Sequence, residues 1–235
     1  LFEEEPVKLG LPAQYVVNVT VVDTDEKLAE MARKISQSEM ISFDTETTST
    51  DPMQAEMVGI SLAIEEGSAY YIPVGHKGSS RQLEISKVIE AITPAFTDQK
   101  IQKIGHNMKY DALMLLNYGL RIHPFSFDTM IAGWLLEPES HRLGLKRMAE
   151  SELNIAMTEI SELIGTGKKQ FTMDRVAIED VAPYASADAE VPLRLEKILR
   201  ERLEKNGLMK VFEEIEMPLI PVLMEMEHTG IKVDG

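Results

Sequence analysis

The stretch "ISFDTET", residues 41–47, decides how this chain is read. An apolar run ends in two carboxylates, Asp44 and Glu46, with one threonine between them. On a β-strand, side chains at i and i+2 share a face, so the two acids project together while Ile41, Phe43 and Thr45 point the other way. Burying one unpaired carboxylate is costly, and two on one face also repel each other. Hard divalent cations prefer oxygen ligands and would relieve both costs, so the pair reads as half of a site for Mg²⁺ or Mn²⁺. D-x-E alone is a weak signal, and the rest of the chain has to supply the other half.

Two further acids do so. Asp111 stands in "HNMKYDALML", four residues after Asn107, so both are expected on one face of a helix whose opposite stripe is Leu113, Leu116 and Leu120. Asp188 stands in "APYASADAEV", four residues after Tyr184 on one face of another helix. A tyrosine and an aspartate so placed can share a water, the phenol fixing its orientation while a metal on Asp188 lowers its pKa. Pro192, four residues further on, is expected to kink that helix. Asp44, Glu46, Asp111 and Asp188 together meet the need of a two-metal phosphodiester hydrolase, whose ions lie roughly 3.5–4 Å apart and stabilise the attacking and leaving oxygens. Other chemistries fit less well. The histidines (His76, His106, His123, His141 and His228) show no H-x-x-x-H spacing, and no G-x-S-x-G, Walker A or G-x-G-x-x-G motif occurs. A glycosidase also uses two acids, but acids on neighbouring same-face strand positions are better placed to share an ion.

Composition bounds the reading. The chain has 235 residues, 44% of them hydrophobic and 27% charged, which is ordinary for a globular domain with a real core. It has no cysteine, so disulfides and thiolate metal sites are excluded. No apolar run approaches membrane-spanning length. The net charge of −15 argues against a protein that coats a duplex by neutralising phosphates, yet leaves room for an enzyme gripping a few nucleotides through bound cations. The opening "LFEEEPVKLG" has neither an initiator Met nor a signal-peptide pattern, and the chain is expected to be part of something longer.

Along the chain, residues 1–13 read as a linker. Strand-like runs follow at 15–22 and 40–47, and 55–74 reads as a hairpin turning at "EEGS". A helix after Asp23 or Thr24 carries Leu28, Met31 and Ile35 at helical spacing, another is expected at 81–96, and a long one from about 178 to 206. The mixture predicts an α/β fold with antiparallel strands beside parallel βα units. In the last segment, Ile215, Leu219, Leu223 and Met226 form an apolar stripe that is expected to find no partner in this chain and reads as the first helix of a further domain.

"FDTET", "GHNMKYD" and "YASADAE" resemble, in order and rough spacing, the three motifs of DnaQ-like 3′→5′ exonucleases. The similarity is strongest to the proofreading domain of bacterial A-family DNA polymerase I, and it covers about residues 15–235, through "VGISLAIEEGSAYYIPVGH" and the C-terminal segment. It implies a ribonuclease H-like, mixed five-stranded sheet flanked by helices over 14–206, with 207–235 entering a polymerase domain. It implies removal of nucleotides from single-stranded DNA 3′ ends or frayed primer termini, in the bacterial cytoplasm at the nucleoid. By the same resemblance Asp44, Glu46 and Asp188 would hold a first metal ion and Asp44 and Asp111 a second, with Tyr184 orienting the nucleophilic water. Asn107, Tyr110 and Arg142 would touch the terminal nucleotides. Thr50 stands where a leucine wedge is often found, and Ile160 where an aromatic stacks, so a weaker grip on the 3′-terminal base is expected. Part of the relatively basic stretch between Arg142 and Arg175, which carries Lys146, Arg147, Lys168 and Lys169, is expected to line the single-strand path. Two other readings remain: a catalytically silent scaffold for the polymerase, and an RNA-trimming relative with the same chemistry.

Overall fold

The structure is a computed structural model that describes residues 15–79 and 81–232; the linker expected at 1–13 lies outside them. β1 (Asn18–Val21) leads into α1 (Asp25–Ile35), where Thr24 accepts a hydrogen bond from the Lys27 amide. That cap, with Asp25 and Glu26 in the first turn and Arg33 and Lys34 in the last, matches both the free N–H groups and the helix dipole. β2 (Met40–Thr47) follows, then the hairpin β3 (Met57–Glu65) and β4 (Ser68–Pro73), turned through Gly67 at φ 83°. Next come α2 (Ile85–Thr97), β5 (Gln102–Gly105), α3 (Met108–Asn117), β6 (Phe127–Asp128), α4 (Thr129–Leu136), α5 (Leu145–Leu153) and α6 (Ile160–Ile164). α7 (Ile178–Lys205), the single turn α8 (Met209–Val211), a π-helical turn (Phe212–Glu216) and α9 (Met217–Thr229) complete the chain. α7 continues as one helix through Pro183 and through Pro192, the position where a kink is expected.

The strands form one mixed sheet in the order β1-β4-β3-β2-β5-β6. It has six strands rather than the expected five. β1 pairs in parallel with β4 and satisfies the outer edge of the hairpin, while the two-residue β6 pairs in parallel with β5 at the other edge. β2 is central, antiparallel to β3 and parallel to β5. Strand alternation sends its residues to two layers. Phe43 packs edge-on against Phe96 of α2, with ring centroids 5.2 Å apart, while α7 lies across β2, β3 and β4 on the other side.

Buried polar groups fasten these layers. Glu190 of α7 accepts from the Gly67 amide at 2.6 Å and from Arg194 at 2.8 Å, and it also bonds the Tyr15 hydroxyl, so the hairpin turn is fixed to α7. Asp128 caps α4 through the Met130 and Ile131 amides and also accepts from the Asn107 and Met108 amides, holding the start of α3. Asp111 of α3 accepts at Oδ1 from both the backbone amide (3.1 Å) and the hydroxyl (2.6 Å) of Thr45, tying α3 to β2.

The C-terminal helix differs from its sequence reading. α9 does have chain to pack on: Met217, Ile220 and Met224 are buried, and the helix lies along α3. The stripe singled out in the sequence is the outward one, with Ile215 56% and Met226 64% exposed. The helix is apolar on two sides, and periodicity alone did not show which side the exonuclease core takes. Lys109 pairs with Glu227 and Arg121 with Glu225 across the contact.

The Thr45–Asp111 link is testable. Thr45→Val keeps shape and β-propensity but removes one donor from a buried carboxylate, which costs about 1–3 kcal/mol. Thermal melting at pH 8 in chelator should show a lower midpoint for Thr45→Val and a near-native one for Thr45→Ser; equal midpoints for Val and wild type would contradict the link.

Candidate active site

The site is built at the end of β2 where its pairing to β3 slips. Asp44 faces Ser61 and Glu46 faces Gly59, but Thr47 faces Met57, a register shift directly after Glu46. Such irregularities bend a strand and re-aim its side chains. Asp44 and Glu46 meet Asp188 from α7, and one oxygen of each carboxylate lies within 4.8 Å of the others. Asp111, held by Thr45, lies outside that triplet but lines the same cleft of about 700 Å³, as does Tyr184. The donors are all carboxylate oxygens, without histidine or cysteine, and they converge from a strand and a helix. This donor set fits a hard divalent cation.

The electrostatics are those of concentrated negative charge. Burial first, and then the charges of Asp111, Glu46 and Asp188, push the Asp44 carboxyl well above its usual range. Glu46 is raised well above its range by burial and by Asp188. Burial raises Asp111 to about 7 against the opposing hydrogen bonds from Thr45. Asp188 is raised by burial, opposed by the Lys146 ammonium and the Tyr184 hydroxyl. The Tyr184 hydroxyl itself is pushed far up by burial and by Asp188, so it stays protonated and able to donate.

Lys146, on the first turn of α5, is paired to the carboxylate cluster. Its Nζ lies 3.0 and 3.2 Å from the two oxygens of Asp188 and 4.2 Å from the centroid of the Tyr184 ring. Beside it, burial drops the His106 imidazole to about 4, and its Nδ1 sits 2.9 Å from the Thr129 hydroxyl. His106 is therefore neutral in the cleft at pH 7.

Four of the five residues expected to touch substrate line the cleft: Thr50, Asn107, Tyr110 and Ile160. Asn107 does not share a helical face with Asp111 as expected; it precedes α3 in a left-handed conformation, φ 61°. The Tyr110 hydroxyl bonds the Thr47 hydroxyl at 2.6 Å and the Ser49 carbonyl at 2.5 Å, so it pins the 47–50 loop at the cleft wall. Arg142 is exposed before α5 and borders a separate cavity of about 120 Å³ with Glu137, Glu152 and Arg202. Sequence reasoning missed Phe171, which is 39% exposed and lines the cleft, as does Ile160. An isolated aromatic in a loop carries no periodic signal, and only the fold brings it here.

Comparison with known proteins agrees with this geometry. The model of a family described as 3′-5′ exonuclease matches residues 19–204. DNA polymerase I of Chloroflexus aurantiacus is 39% identical over 235 residues, 99% of this chain and 24% of that protein. DNA polymerase I of Pseudomonas aeruginosa is 37% identical over 229 residues, 95% of this chain and 25% of that protein. The chain thus spans about a quarter of the length of these relatives. Among solved structures, Escherichia coli RNase D, described as an exoribonuclease involved in structured RNA processing, superposes with a TM-score of 0.69 at 21% identity, over 89% of this chain and 51% of that one. At that identity the likeness speaks for the ribonuclease H-like fold alone. With the family match spanning most of the sheet and both helices that carry the acids, the chain belongs to the 3′-5′ exonuclease family, as an exonuclease domain of the DNA polymerase I type.

Proposed function

We propose that the domain hydrolyses the terminal phosphodiester of a single-stranded DNA 3′ end, editing primers frayed from the polymerase of the same full-length chain. The observation that carries this reading is the convergence of Asp44, Glu46 and Asp188, with Asp111 in the same cleft. Asp44, Glu46 and Asp188 would hold one divalent ion and Asp44 and Asp111 a second, Mg²⁺ or Mn²⁺. Bound there, such ions lower the pKa of water and neutralise charge on the attacking and leaving oxygens. Tyr184, protonated and beside Asp188, orients the attacking water by donating to it. Asn107, Tyr110 and Thr50 lie where the terminal nucleotide would sit, and Arg142 would meet the strand further out. Residues 207–235 would lead into the polymerase domain, and the outward stripe of α9 supports that continuation. Among the described residues no helix is long and apolar enough to cross a membrane, and the relatives are bacterial, which fits work at the nucleoid in the cytoplasm. The intact acids weigh against a silent scaffold, and the DNA polymerase I relatives weigh against an RNA-trimming role.

Phe171 changes the expectation for substrate grip. With an exposed aromatic on the cleft wall, the missing ring at Ile160 need not leave the terminal base unstacked. Base stacking on a ring contributes about 1–3 kcal/mol, so Phe171→Ala should weaken binding of a 3′ single strand roughly 5- to 150-fold. Fluorescence anisotropy under chelator measures it, and an unchanged affinity would return the site to weak base contact.

Activity is tested with a 5′-labelled single-stranded oligonucleotide. Stepwise 3′ shortening should require Mg²⁺ or Mn²⁺, stop with chelator, and fall on the order of 10²-fold or more in Asp44→Asn. Shortening that survives Asp44→Asn would place the chemistry elsewhere, and a matched RNA strand cut as well as DNA would favour the RNA-trimming reading.

The raised carboxyls also predict a pH dependence of stability. The unfolded chain ionises these acids near 4, whereas the folded state holds protons to higher pH, to about 7 at Asp111. Over that window the folded state binds more protons, so stability falls as pH rises. In chelator the melting midpoint should drop between pH 5 and pH 7.5, and Mn²⁺ should flatten the slope. A midpoint that rises over this window would contradict the charge assignment.

A further inference from the structure

Among the described residues, Lys146 is the one cation paired to any of the four acids. Its position is well defined: it leaves the first turn of α5, which packs on α7, and its side chain is only 17% exposed. Its ammonium lies within hydrogen-bonding distance of both oxygens of Asp188 at once and sits over the face of the Tyr184 ring. Asp188 is also the α7 contribution to the carboxylate triplet, so a divalent ion shared by Asp44, Glu46 and Asp188 must bind an oxygen that already faces Lys146. Two cations on one carboxylate a few ångströms apart repel strongly where water is excluded.

We propose that Lys146 is a built-in counter-cation of the carboxylate cluster that competes with the divalent metal for Asp188 and so sets the metal affinity of the site. The inference rests on the metal-site reading above and adds to it an antagonist. When metal binds at the triplet, the ammonium leaves Asp188 and with it the face of Tyr184. The metal affinity of the domain is then lower than its donor set alone would give, and the fold tolerates four clustered acids without a bound ion.

The competition makes a prediction of unusual sign: removing a positive charge that no metal touches should strengthen metal binding. Lys146→Met preserves the length of the apolar stem, and Lys146→Gln is a second neutral replacement should Met fold poorly. Mn²⁺ binding, followed by electron paramagnetic resonance of the free ion, should be about tenfold tighter or more in either neutral variant and near wild type in Lys146→Arg. The melting midpoint in chelator should fall in the neutral variants, and the gain on adding Mn²⁺ should grow. In wild-type protein, Mg²⁺ should shift the Tyr184 ring resonances with the same midpoint as metal binding, because the ammonium–ring contact is lost. Equal Mn²⁺ affinity in Lys146→Met, Lys146→Gln and wild type would overturn the proposal. Weaker binding in the neutral variants would overturn it too, making Lys146 a residue that holds Asp188 in place for the metal. Wild-type protein that binds no Mn²⁺, with Asp188→Asn as its control, would instead remove the metal-site reading on which the proposal stands.

Discussion

The structure is organised around the repulsion among four carboxylates that the fold forces into one cleft. Asp44 and Glu46 are brought together by strand alternation, Asp188 by the helix laid across that strand, and Asp111 by a helix entering from the other layer. Burial and proximity raise all four carboxyls, so the native state stores unfavourable electrostatics at its functional end. That penalty is what gives the site its appetite for cations, and it explains why the surrounding elements are fastened so firmly.

Buried polar groups add to the apolar packing in this fastening. Asp128 caps two helices from one carboxylate, bonding the amides that start α4 and those at the Asn107–Met108 turn. Glu190, two residues after Asp188 on α7, binds the hairpin turn to the helix that carries Tyr184 and Asp188. Thr45, which points away from the acid pair along the strand, spends both its donors on Asp111. Each link ties an element that carries a site acid to a neighbouring element, which opposes separation of the carboxylates. A site whose ligands are pre-set in this way does not have to order them when metal or substrate arrives.

Much of this was legible beforehand, and for identifiable reasons. Asp44 and Glu46 share a face because a strand has a two-residue period, and Tyr184 and Asp188 because a helix returns after four; both follow from local geometry. The cap at Thr24 is likewise local. Where the reading failed, the missing information was non-local. The six-stranded sheet depends on whether β1 and the two-residue β6 find partners. The stripe of α9 that reads as unpartnered is indeed the outward one, but a second apolar face, Met217, Ile220 and Met224, packs the helix on α3, and periodicity did not reveal it. Asn107 was placed on the helix, whereas the Asp128 carboxylate, 21 residues away in sequence, holds it just before α3 begins.

Sequence alone determined which acids stand at what spacing on which kinds of element, and hence that the candidate donors are carboxylate oxygens. Periodicity carries that information because backbone geometry repeats identically wherever a strand or helix forms. Only the tertiary structure decided what surrounds those acids. It set Lys146 on Asp188 and Tyr184, brought Phe171 to the cleft, and left Arg142 beside a different cavity. A lone lysine or phenylalanine in a non-periodic stretch has no local pattern to betray its partner, and its neighbours are fixed by how α5, α7 and the loop between them pack on the sheet.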